Sequence, residues 1–158
     1  MRLDKFVMTI GLLALLASSS SWAAVKNKPS SQVWDKLTPA WDAVSEKLIG
    51  FVGPKKQKLL ADLAFAAAAA EQCDGLSLDN DKFKAAFDSL NDADYQALAA
   101  ADKALYGPKL MNYFGIYVGL ITAEALLEQQ PFCTYAINQQ IIGTGPYWMD
   151  TTIGGAKK

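Results

Sequence analysis

Apolar residues recur every three or four positions after the first 30 residues of the chain. They are Trp34, Leu37, Trp41, Val44, Leu48 and Phe51, which this spacing places on one face of a helix. Pro39 falls inside this N-terminal stripe, where a helix interior disfavours proline. We therefore predict a helix from 39 to about 49, with Thr38 as its N-cap and Gly50 as its end, after a short helical turn at 31–37. The stripe can face a partner or the protein's own core, and the core is the commoner case.

The segment QKLLADLAFAAAAAEQCDG, called here the alanine segment, predicts a second helix. Alanine, leucine, lysine and glutamine favour helix formation, and five consecutive alanines at 66–70 make this helix narrow. Gly75 is expected to end it.

Two further helices are predicted to start at acidic or amide caps. Asp79 or Asn80 begins the first, and Asn91 or Asp92 begins the second. Gly107-Pro108 is expected to stop the second helix. The DND at the first cap lacks the glycine and the glutamate of a calcium loop, so we interpret these acids as helix caps.

The segment YFGIYVGLITAEALLEQQPFC lies in the most uniformly apolar part of the C-terminal half. Fourteen uncharged residues separate Lys109 from Glu124. As a helix they would span about 21 Å, less than the roughly 30 Å of a bilayer's hydrocarbon core. Because the segment is apolar on every side, we predict a central helix over about 109–129 that is buried all round in a soluble bundle.

Gly115 and Gly119 lie one helical turn apart on one face of this central helix. Such a pair lets another backbone approach closely and drives helix dimers in lipid. Within this chain the narrow alanine segment is the simpler neighbour, so we expect the two glycines to be close-packing positions. Pro131 is expected to end the central helix near 129 and to open the last helix.

The N-terminus, MRLDKFVMTIGLLALLASSSSWAA, has the order of a secretory signal peptide. A basic start precedes twelve apolar residues and then small residues suited to cleavage after Ala23 or Ala24. We expect residues 1–24 to be removed on export to a bacterial periplasm or beyond, leaving no stable membrane span. The remaining chain divides into a loose segment at 25–38, a helical domain at 39–142 and a glycine-rich tail at 143–158.

Cys73 and Cys133 are the only cysteines, and an even count in an exported protein favours a disulfide. The alternatives are a reactive pair of thiols and a metal site, and a zinc site would need two acids as well, because the chain has no histidine. We predict an all-α fold, a single small orthogonal bundle of about five helices around the central helix, stapled by this disulfide. The bridge would tie the C-terminal ends of the alanine and central helices, which would run roughly parallel.

The absence of histidine excludes Ser-His-Asp and Cys-His catalysis and the HExxH metal motif. No P-loop and no dinucleotide-binding fingerprint occur. We therefore predict no catalytic machinery, no cofactor and no metal. Glu124 is the one weak catalytic candidate, as an acid on an apolar helix of the kind that serves glycoside hydrolysis. The simpler interpretation is that Glu124 marks where the helix emerges into solvent.

The net charge of −1 predicts no binding to nucleic acid. The candidate contacts for a partner protein are Trp34 and Trp41 in the stripe and Tyr147 and Trp148 in the tail, although the tail aromatics can also fold back on the bundle. In size, export and one cysteine pair the chain resembles small periplasmic helical proteins, among them chaperones, enzyme inhibitors and immunity proteins. We expect a protein that acts by binding another protein, as an inhibitor, immunity, chaperone or accessory protein. The alternatives are a carboxylate-dependent hydrolase such as a glycosidase, and an acid-triggered chaperone.

Overall fold

The computed structural model describes residues 32–143, 145 and 147–149. Within this part of the chain there are five helices and no strand: α1 Gln32–Gln72, α2 Asn80–Asp88, α3 Ala93–Ala97, α4 Ala100–Leu127 and α5 Gln129–Ile141. α4 packs along α1, and α2 and α5 pack at the side and end of this pair. The predicted all-α bundle around a central apolar helix is confirmed. The predicted signal peptide at 1–24, residues 25–31 and the rest of the tail lie outside the described residues.

α1 is a helical hairpin with its turn at Gly53. The backbone there has φ 81° and ψ 165°, which glycine adopts without the steric cost of a side chain. The amide Nε2 of Gln57 lies 3.4 Å from the hydroxyl of Ser45, twelve residues earlier, so the two arms lie side by side. We call 32–52 the first arm and 54–72 the second arm.

Both arms pack against α4. The first arm runs opposite to α4, since Trp41 contacts Tyr117 and Phe51 contacts Tyr106. The second arm, which contains the alanine segment, runs in the same direction as α4. The predicted parallel arrangement of the alanine and central helices is therefore the one observed.

Four predicted helix boundaries were wrong. α1 begins at Gln32 and includes Pro39, so Thr38 is not its N-cap; the Thr38 hydroxyl instead donates a 2.8 Å hydrogen bond to the Trp34 carbonyl. The first arm continues through Gly50 to the Gly53 turn.

α4 likewise continues through Gly107 and Pro108, and the central helix begins at Ala100 rather than near 109. Pro108 deprives the Ala104 carbonyl of its helical donor, but both residues are exposed and water can serve that carbonyl. Predicted caps at Asp79 and Asp92 are confirmed, because their carboxylates accept hydrogen bonds from the first amides of α2 and α3.

The predicted disulfide between Cys73 and Cys133 is present, with the two Cα atoms 5.3 Å apart. It joins the C-terminal end of α1 to the first turns of α5. Because α5 follows α4 directly, the bond holds the second arm and α4 together at one end of the bundle.

The described part of the tail folds back on the bundle. The Trp148 side chain is only 3% exposed, and its indole Nε1 donates a 3.1 Å hydrogen bond to the Ala66 carbonyl in the second arm. The Asp79 amide donates to the Tyr147 carbonyl at 2.8 Å, and the Met149 amide to the Ser77 carbonyl at 2.9 Å. Both tail aromatics therefore dock on the bundle. This is one of the two outcomes that the sequence left open.

Candidate interaction surface

One side of α4 is exposed along nearly its whole length. We call it the outer face, and its residues are Leu105, Pro108, Met111, Asn112, Gly115, Ile116, Gly119, Ala123, Leu126 and Leu127. Leu105, Leu126 and Leu127 are 68%, 68% and 70% exposed, although leucine is a residue that folding normally buries. The opposite side of α4 carries Tyr106, Leu110, Tyr117, Ile121 and Ala125 into the core.

Lys109 is exposed at the margin of the outer face, at the same helical position as Leu127. Its ammonium lies 4.0 Å from the centre of the Phe51 ring in the first arm. Glu124 is buried on the other side of the helix. The result is a mainly apolar strip from Leu105 to Leu127 with one positive charge at its edge.

Gly115 and Gly119 lie in the middle of the outer face. A Cβ atom added at either glycine would meet no heavy atom within 4 Å. The expectation that the alanine segment packs closely at these glycines was therefore wrong, and so was the expectation that α4 is buried all round. The second arm lies on the Tyr117 side of α4 instead.

α4 is the one helix in the described part of the chain that is long and apolar enough to cross a bilayer, judged by length and composition alone. Only 28% of its most apolar stretch is buried, a small share for a core helix. However, the first arm lies along α4 and exposes charged residues over its own length: Asp35, Lys36, Asp42, Glu46 and Lys47. A membrane around α4 would bring this charged arm into hydrocarbon, which is strongly unfavourable.

The aromatic residues predicted as partner contacts all contribute to internal packing. Trp34 packs on Trp41 with ring centres 5.2 Å apart, and Trp41 packs on Tyr117 at 4.4 Å. The N-terminal stripe therefore faces the protein's own core. Trp148 is buried against Phe65, and Tyr147 lies beside Phe83. None of the four predicted aromatics lies on the outer face.

The placement of Glu124 differs from the simpler sequence interpretation. Its side chain is 2% exposed, so it does not mark an emergence into solvent. Its charge acts on Tyr135 of α5: burial first, and then the charges of Glu124 and Asp62, raise the pKa of the Tyr135 hydroxyl. Tyr135 itself packs on Phe65, with ring centres 5.8 Å apart.

A second polar site holds α3 against the turn of α1. Lys56 Nζ donates a 2.6 Å hydrogen bond to the carboxylate of Asp92, the N-cap of α3. This bond lowers the pKa of Asp92. Burial alone would lower the pKa of Lys56, but its bond to Asp92 and its proximity to Tyr106 raise that pKa overall. The site is an ordinary structural ion pair. Among residues 32–143, 145 and 147–149 no three acidic, cysteine or histidine side chains are grouped to hold a metal.

The sequence contains a signal for the outer face that our interpretation missed. Steps of three or four residues place one set of α4 residues on the same side of the helix. They are Leu105, Pro108, Asn112, Gly115, Gly119, Ala123 and Leu126. The opposite stripe through Tyr117 and Ile121 has the same spacing and is equally apolar, so periodicity alone does not tell which stripe is buried.

Comparisons with protein-family models, with curated proteins and with solved structures find no match to this chain.

Proposed function

We propose that this protein is exported and acts by protein–protein interaction, with the outer face of α4 as its contact surface. The observation that carries the proposal is the exposure of large apolar side chains along one mainly apolar helix face. Contiguous exposed apolar surface of this kind is typical of interaction sites.

The composition of the outer face supports a contact with protein. The centres of protein interfaces are depleted of charged residues and enriched in apolar ones such as methionine. Met111 and Ile116, near the middle of the face, are 51% and 36% exposed. Burying a side chain such as Leu126 contributes about 1.5–3 kcal/mol, so a few such contacts can support reversible binding.

Export to an oxidising compartment fits the disulfide, since such bonds persist in the periplasm and outside the cell. The bond also rigidifies one end of the bundle. A rigid surface loses little conformational entropy on binding, which favours association.

Affinity capture from the periplasm tests the proposal, with the disulfide kept intact. The variant Gly115→Leu/Gly119→Leu fills the middle of the outer face without meeting any neighbour in the chain. Gly50→Leu is the matched control, because Gly50 is an exposed helical glycine of the first arm that also has no neighbour within 4 Å of a Cβ. We expect the double variant to lose its bound protein and the control to keep it. If the wild type, Gly115→Leu/Gly119→Leu and Gly50→Leu capture the same protein equally, the outer face has no role in binding.

A second candidate function, carboxylate-dependent hydrolysis, is favoured by the burial of Glu124. A buried acid next to Tyr135 is the kind of group that can serve as a general acid. Screening of glycan substrates tests it, and Glu124→Gln should abolish any activity found while leaving partner capture unchanged. Activity that persists in Glu124→Gln would exclude this carboxylate.

A further inference from the structure

We draw no further inference here: the strongest candidate, the part of the outer face of α4 around Gly115 and Gly119 with the exposed side chains of Met111 and Ile116, belongs to the contact surface already proposed, and nothing in the structure shows what covers it.

Discussion

The side-chain amide of Gln57 donates a 2.9 Å hydrogen bond to the hydroxyl of Tyr117, inside the contact between the second arm of α1 and α4. The same hydroxyl lies 2.8 Å from the Ser45 hydroxyl in the first arm. One phenol therefore joins all three helical segments that form the centre of the bundle. Tyr117 is fully buried, so these bonds are shielded from water.

Tyr117→Phe should destabilise the fold by about 0.5–1.5 kcal/mol, because it removes the nearer of the two acceptors of the buried Gln57 amide. The phenylalanine ring would keep the packing on Trp41, so the loss would report mainly on hydrogen bonding. Urea unfolding measures it. Ser45→Ala serves as the comparison and should cost less, because Ser45 is only partly buried. Equal stability of Tyr117→Phe and wild type would show that the network contributes nothing.

Reduction of the disulfide should lower the free energy of unfolding by roughly 4 kcal/mol, because the bond closes a loop of about 60 residues in the unfolded chain. Cys73 is buried, so we expect reduction to be slow under native conditions and fast in urea. Unfolding of Cys73→Ser/Cys133→Ser, compared with the oxidised protein, measures the difference. If the urea midpoint is the same with and without the disulfide, other contacts already hold the end of α1 to the start of α5.

The sequence predicted those features of the fold that depend on neighbouring residues. Asp79 and Asp92 cap helices because a carboxylate can reach amides two or three residues ahead. Pro131 lies in the first turn of α5, where proline is tolerated. In both cases the local chemistry determines the outcome whatever the rest of the chain does.

Features that depend on distant contacts were not predicted. Gly50 was predicted to end the first helix, but the chain turns at Gly53, where the second arm folds back and brings Gln57 to Ser45. Glu124 was expected in water by the general rule for acids, but it lies on the side of α4 that the rest of the bundle covers. Both sides of α4 are apolar, and contacts with distant residues decide which one is covered. Composition alone therefore did not tell which side is the outer face.

Gly145→Ala should undock the tail. A Cβ atom at this position would collide with the indole ring of Trp148, which is buried and has no room to move. We expect a loss of about 1–3 kcal/mol, the usual cost of overpacking. Urea unfolding measures this loss, and limited proteolysis should show faster cleavage near the tail. Met149→Ala is the control because Met149 is exposed. Unchanged proteolysis of Gly145→Ala would contradict the observed tail position.

Asp92→Asn should reduce the sensitivity of the fold to acid. The hydrogen bond from Lys56, with smaller effects of the Tyr95 and Asp94 amides, lowers the pKa of Asp92 from its ordinary value of 3.8. The stability that this carboxylate contributes is therefore present above about pH 4 and is lost as the pH falls through the lower folded-state pKa. Asparagine keeps the N-cap and removes the titration. Unfolding midpoints at pH 7 and pH 3 should differ less in the variant, whereas Asp88→Asn on the exposed side of α2 should resemble wild type.

Gly115→Ala/Gly119→Ala should stabilise the fold. Alanine is favoured over glycine by up to about 1 kcal/mol in a helix interior, and both positions have open space for a methyl group. Gly53→Ala should have the opposite effect on stability, because its φ of 81° is strained for any residue with a Cβ. Urea unfolding measures both changes. A rise for Gly115→Ala/Gly119→Ala with a fall for Gly53→Ala would mean that Gly115 and Gly119 reduce the stability of α4, whereas Gly53 is required by the turn. A loss of stability in Gly115→Ala/Gly119→Ala would contradict the open space at these positions.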